Sequence, residues 1–114
     1  MDIELTKDAH TLICLMYKEY CQKVKSGIAK EKANYFSDSE EIQRTLAPKW
    51  SHDYTFDICS ELCTADLIDG DPGDDMVNDI TFTRTGILFM ETRFKRGLED
   101  IRKYLDTLSN FLPF

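Results

Sequence analysis

Only one stretch of this chain, residues 67–82, reads as extended structure, and every other periodic segment follows helical spacing. Leu67-Ile68 starts a strand, and Asp69–Asp75 reads as a turn. Its Asp-Pro-Gly-Asp core has a mechanism for turning, because proline holds one backbone dihedral and glycine permits a positive φ. Met76–Phe82 then alternates, with Met76, Ile80 and Phe82 on one face and Val77, Asp79 and Thr81 on the other. That is the pattern of a half-buried strand returning from a hairpin. One hairpin among helices predicts a mainly α fold with a small β-hairpin, of the α+β class. At 114 residues the chain suits a single domain, and 42% hydrophobic residues can supply a packed core.

Three helical regions precede the hairpin. In residues 6–26, Ala9, Leu12, Ile13, Met16, Tyr20 and Val24 form one buried stripe at three-and-four spacing. Thr6 is the expected N-cap, with Ala9 where a capping box would place an acid. Ser26-Gly27 ends the helix and Ile28 follows as an extended residue. A second region runs from Ala29 to Leu46, broken near Ser37-Asp38, with Glu40 and Glu41 favourably placed in the first turn after the break. Pro48 closes it, and Trp50 is expected to plug a gap between helices. The third helix spans His52 to Ala65 behind a Ser51 cap, with Ile58, Leu62 and Ala65 facing inward. Asp53, Asp57 and Glu61 fall within a stripe of about 80° away from that face.

After the hairpin a long helix is expected from Thr83 to about residue 110. Ile87, Met90, Phe94, Leu98, Ile101, Leu105, Leu108 and Leu112 step by 3, 4, 4, 3, 4, 3 and 4. Wholly helical, this seam would be roughly 40 Å long, more than so small a domain can cover. The uncovered part, Leu98, Ile101, Leu105, Leu108 and Leu112, is the expected interface of a homodimer. Gly97 permits close packing or a kink in it.

Between Trp50 and Thr83 lie nine acids, Asp53, Asp57, Glu61, Asp66, Asp69, Asp71, Asp74, Asp75 and Asp79, and no lysine or arginine. The whole chain is −7, so the other 80 residues carry +2. The basic residues cluster elsewhere: Lys23, Lys25, Lys30 and Lys32, and then Arg93, Lys95, Arg96, Arg102 and Lys103.

Neither a catalytic constellation nor a cofactor motif is present. His10 and His52 are isolated, and no Ser-His-Asp order, His-Glu-x-x-His or phosphate-cradling glycine loop occurs. The run from Asp69 to Asp75 lacks the order of a calcium loop. Cys59 and Cys63 are four apart, wider than the usual Cys-x-x-Cys pair of a zinc site, and Cys14 and Cys21 are too far apart on one helix to bridge. Reduced thiols, no metal and no enzymatic activity are expected. No apolar run reaches the length of a membrane span, and the first eight residues lack the character of a signal peptide, so a cytoplasmic protein is expected.

Helix, helix, helix, hairpin, helix is the winged-helix order, and two local patterns carry the resemblance. Glu61-Leu62-Cys63-Thr64-Ala65-Asp66-Leu67-Ile68-Asp69 resembles the "L-x-x-x-G-L-I" passage from recognition helix to strand, with Asp66 where glycine is common. Phe82-Thr83-Arg84-Thr85-Gly86-Ile87 is similar to the "L-T-x-x-G" entry to the post-wing helix of MarR-like and PadR-like proteins, with Thr83 capping and Gly86 allowing close approach. The resemblance covers about residues 6–95 and extends to small prophage and mobile-element winged-helix proteins such as the YjcQ family. It implies a winged helix-turn-helix whose third helix and wing commonly meet DNA. Here those positions offer Asp53, Asp57, Glu61, Asp69, Asp71, Asp74 and Asp75, which repel phosphates. The expected function is a regulatory or interaction module that docks a basic partner protein on this acidic surface, at its limit mimicking nucleic-acid charge as a mobile-element inhibitor would. The bland alternative is a solvated face that keeps the protein soluble. The runner-up function is a DNA-binding transcriptional regulator using a different, basic face.

Overall fold

Helix α1 (Lys7–Lys25) is the element around which the rest is arranged in the computed structural model, which describes residues 3–108. It touches the short α2 (Lys30–Ala33), α3 (Ser39–Leu46), α4 (His52–Thr64) and α6 (Leu98–Leu108). That explains why its buried face is wider than one stripe. Thr11, Cys14 and Tyr17 are buried together with Ala9, Leu12, Ile13 and Met16, while Tyr20 and Val24 are half-buried.

Thr6 caps α1 by accepting a hydrogen bond from the Ala9 amide at 3.4 Å. The acid that local sequence does not supply comes from α4. Glu61 accepts from the Thr6 amide at 2.8 Å and from its hydroxyl at 2.6 Å, completing between two helices what a capping box does within one. The second helical region is interrupted as expected, by residues 34–38 rather than at a single point. That segment runs beside the hairpin. Phe36 donates its amide to the Ile80 carbonyl at 2.9 Å, and the Asn34 side chain accepts from the Phe82 amide at 2.8 Å. Asp38 then caps α3 by accepting from the Glu41 amide at 2.8 Å.

The hairpin pairs β1 (Ile68–Gly73) with β2 (Met76–Phe82) and packs on α3 and α4, which give a two-stranded ribbon the support it lacks alone. Two features differ from the sequence expectation. The turn is only Asp74-Asp75, at φ 54° and 60°, while Pro72 and Gly73 remain in β1 opposite Val77 and Met76. Two consecutive positive φ values match the right-handed strand twist, and aspartate tolerates that conformation better than most side chains. Further along, two steps on β1 (Asp69 to Asp71) face three on β2 (Asn78 to Thr81). The bulge falls at Asp79, whose φ is 53°, and it shifts the alternation so that Val77 and Ile80 are both buried.

The long terminal helix is the main correction. It is two helices, α5 (Arg84–Arg93) and α6, separated by Phe94–Gly97. Gly97 takes φ 59°, a conformation that ends helices at little cost for glycine. Asp100 accepts from the Arg96 amide at 2.9 Å and so caps the new start, with Glu99 beside it in the first turn. The bend lays α6 back on α1. Ile101 and Leu105 are 0% and 5% exposed, and Phe94 stacks at 6.5 Å on Tyr17 of α1. These two members of the expected dimer seam are therefore covered by their own chain. Leu98 and Leu108 are half-buried, and Leu112 lies outside the described residues.

Candidate functional site

The acidic residues that sequence spreads over the third helix and hairpin converge at one place. Asp53, in the first turn of α4, shares a groove of about 220 Å³ with Asp74 and Asp75 of the hairpin turn. Glu40 of α3 borders it too, with Ser39, His52 and Met76, and no lysine or arginine lines it. Three local devices set this geometry. Ser51 and Asp38 fix where α4 and α3 begin, each accepting from an amide three residues on. The Ser39 hydroxyl, buried, accepts from the Val77 amide at 3.0 Å and ties the start of α3 to β2. The two-residue turn then projects both aspartates beside those helix starts.

Glu40 is a site residue that the sequence alone does not single out. Its signal was present, since an acid in the first turn of α3 sits beside whatever the helix start faces, but the neighbour that makes it matter comes from 34 residues later. Of the other candidates, Asp57, Asp69 and Asp71 are exposed, and Glu61 is turned to a different use at the Thr6 cap. Two further acids of the segment have backbone or local roles. Asp66 holds φ 61° at the passage from α4 to β1, a conformation aspartate tolerates better than most side chains, and Asp79 accepts from the Tyr35 hydroxyl at 2.9 Å. Tyr54, 40% exposed, stands next to Asp53 with its ring edge-on to Trp50 at 5.2 Å and its hydroxyl donating to Asp8. An aromatic held this way loses little side-chain freedom on contact and suits a docking surface.

A second polar cluster, unanticipated from sequence, joins α1, α5 and α6. Arg93 Nη1 lies 3.4 Å from Nε2 of His10, and the Tyr104 hydroxyl lies 3.3 Å from Nδ1. Guanidinium can only donate, so Nε2 accepts and the imidazole proton sits on Nδ1, facing the Tyr104 oxygen. Burial, and secondarily the Arg93 charge, hold His10 below its ordinary value of 6.5. A depressed histidine contributes stability that is complete above its unfolded value and is lost as pH falls below 6.5 toward the folded value, because the unfolded chain takes the proton first. Thermal unfolding followed from about pH 8 to about pH 5 should thus show a steeper fall of the midpoint for wild type than for His10→Gln. Equal slopes would show that His10 titrates alike in both states.

Burial raises all four thiols above their ordinary value, the half-buried Cys21 and Cys63 included. Cys14 and Cys59 are buried and their burial pushes each up to about 12, far from the thiolate form. Among the described residues, no group of three or more His, Cys, Asp or Glu side chains is placed to hold a metal ion, and no helix is long and apolar enough to cross a membrane. Comparison with protein-family models, with curated proteins and with solved structures gives no match for this chain.

Proposed function

We propose that this chain is a small winged-helix interaction or regulatory protein that docks a basic partner protein on the acidic surface of α4 and the hairpin, presenting charge in the manner of nucleic-acid phosphates. The observation that carries the reading is the convergence of Glu40, Asp53, Asp74 and Asp75 around one groove without a basic residue. Like charges gathered on two helix starts and a two-residue turn raise the local negative potential, which attracts a cationic partner and speeds its approach. The element order, with three helical regions, a hairpin and closing helices, supports the winged-helix part.

A second reading, DNA binding through a different face, has the groove of about 490 Å³ in its favour, where Lys25, Lys30 and Arg96 meet. Glu91 and Glu99 border the same groove, and Arg96 is already paired with Glu99 at 3.2 Å and Asp100 at 3.0 Å. That leaves a mixed surface, poorly suited to a run of phosphates.

The test uses substitutions that keep the backbone content. Asp74→Asn and Asp75→Asn retain a residue that accepts positive φ, and Asp53→Asn keeps a helix-start side chain. Each should change stability by less than about 0.5 kcal/mol, whereas the triple variant should lose roughly tenfold or more in affinity for a basic protein that wild type retains from host lysate at low salt. Generic duplex DNA should not be retarded at physiological salt. Micromolar duplex binding that weakens steeply with salt, or partner retention unchanged in the triple variant, would overturn the reading.

A further inference from the structure

Two grooves meet on the outer side of α5. One, of about 410 Å³, is bordered by Ile3, Glu4, Leu5, His10, Phe89 and Arg93. The other, of about 230 Å³, shares Phe89 and Arg93 with it and adds Leu88 and Thr92. They form one continuous surface joined at Phe89 and Arg93, and Leu88, 44% exposed, borders its second part. Arg93 is held over it, with its guanidinium 4.6 Å from the centre of the Phe89 ring and a hydrogen-bond contact to His10. Among the described residues, neither Arg93 nor Glu4 takes part in an ion pair, although both border the same groove.

Opposite charges that share a groove without pairing narrow what can cover it. A small carboxylate would satisfy Arg93 and be repelled by Glu4. A cationic ligand would satisfy Glu4 and be repelled by Arg93. A surface that answers both must carry one charge of each sign at matching spacing beside apolar side chains, and a second copy of this chain does so by construction. A two-fold contact is self-complementary in this sense, residue i meeting j and j meeting i. We propose that this face is the contact between two copies of the chain, with the two-fold axis between Arg93 and Glu4 so that Arg93 of each copy pairs with Glu4 of the other, and with Leu88 beside that contact. The proposal places self-association on α5 and the segment before α1, not on the α6 seam that the sequence periodicity indicated.

Light scattering and sedimentation at tens of micromolar should find wild type dimeric. Leu88→Arg changes an exposed side chain and should give a folded monomer. Glu4→Arg alone sets arginine against Arg93 across the axis, and Arg93→Glu alone sets glutamate against Glu4, so each should weaken association about tenfold or more. The two single variants mixed in equal amounts restore both opposite-charge pairs and should form a heterodimer. Circular dichroism on each variant separates lost association from lost folding, and Leu88→Arg with Glu4→Arg keeps the test intact should Arg93→Glu fail to fold. A monomeric wild type, an undiminished Leu88→Arg dimer, or two folded single variants that do not associate on mixing would overturn the proposal. So would a small carboxylate that binds the groove of a protein that stays monomeric.

Discussion

Replacing Ile101 with glutamate should unfold the protein rather than release a monomer from a dimer. Ile101 is fully buried in the core that α6 forms against α1. The substitution removes the apolar side chain, worth about 2–5 kcal/mol on truncation of an isoleucine, and leaves a carboxylate with no partner in an apolar site. Against a typical total stability of about 5–15 kcal/mol, that is enough to abolish a cooperative transition under ordinary conditions. Arg102→Glu, one residue on and exposed, should shift stability by no more than about 0.5 kcal/mol. The comparison tests the fold directly, because a straight α5–α6 helix would put Ile101 at an exposed or intermolecular position. Native circular dichroism and an unchanged melting temperature for Ile101→Glu would refute the packing of α6 on α1.

Gly86→Ala should be nearly as damaging, with the opposite sign from an ordinary helix position. Alanine stabilises an exposed helical site by about 1 kcal/mol over glycine. At Gly86, however, an added Cβ would lie 2.0 Å from the Leu67 carbonyl oxygen and 2.9 Å from its carbonyl carbon. Neither atom belongs to a flexible side chain. The carbonyl already accepts from the Thr83 amide at 3.1 Å, and the Leu67 amide donates to Leu62 at 3.1 Å, so retreat breaks the link from α4 to the hairpin. Overpacking of this kind costs about 3 kcal/mol, which in a domain of this size lowers the melting temperature by roughly 15 °C. A variant as stable as wild type, or more so, would mean that α5 does not press on Leu67. The position also shows why Thr83 and Gly86 belong together. Thr83 turns the chain by donating to the Asp66 carbonyl at 2.6 Å and accepting from the Gly86 amide at 2.9 Å, and glycine alone fits beneath it.

Much of this architecture was legible because it depends on near neighbours. The Thr6, Ser51 and Thr83 caps each act across three residues, so the local pattern suffices to place the starts of α1, α4 and α5, and it narrows the start of α3 to Ser37 or Asp38, of which the fold uses Asp38. The break between α5 and α6 was nearly as local. Gly97 followed by Glu99 and Asp100 is a helix end followed by a helix start, but it lies inside an unbroken apolar seam that suits one continuous helix equally well. Periodicity could not reveal the break, because Phe94 and Leu98 remain apolar whether the chain runs straight or folds back. The burial of Val77 departs from the expected alternation for a related reason. Alternation assumes a regular strand, and the bulge at Asp79 is stabilised by contacts with residues 34–37, more than 40 positions away.

What the sequence determined by itself is the order of helices and hairpin as far as α5 and the sign of the charge between Trp50 and Thr83, since propensity, capping and composition act within a few residues. What only the tertiary structure decided is how those charges are used. Packing α3, α4 and the hairpin turn together gathers Glu40, Asp53, Asp74 and Asp75 around one groove, diverts Glu61 to the Thr6 cap, and folds α6 over the apolar seam. Each of these joins side chains far apart in the chain. Their energies depend on distances between elements, which no local pattern carries.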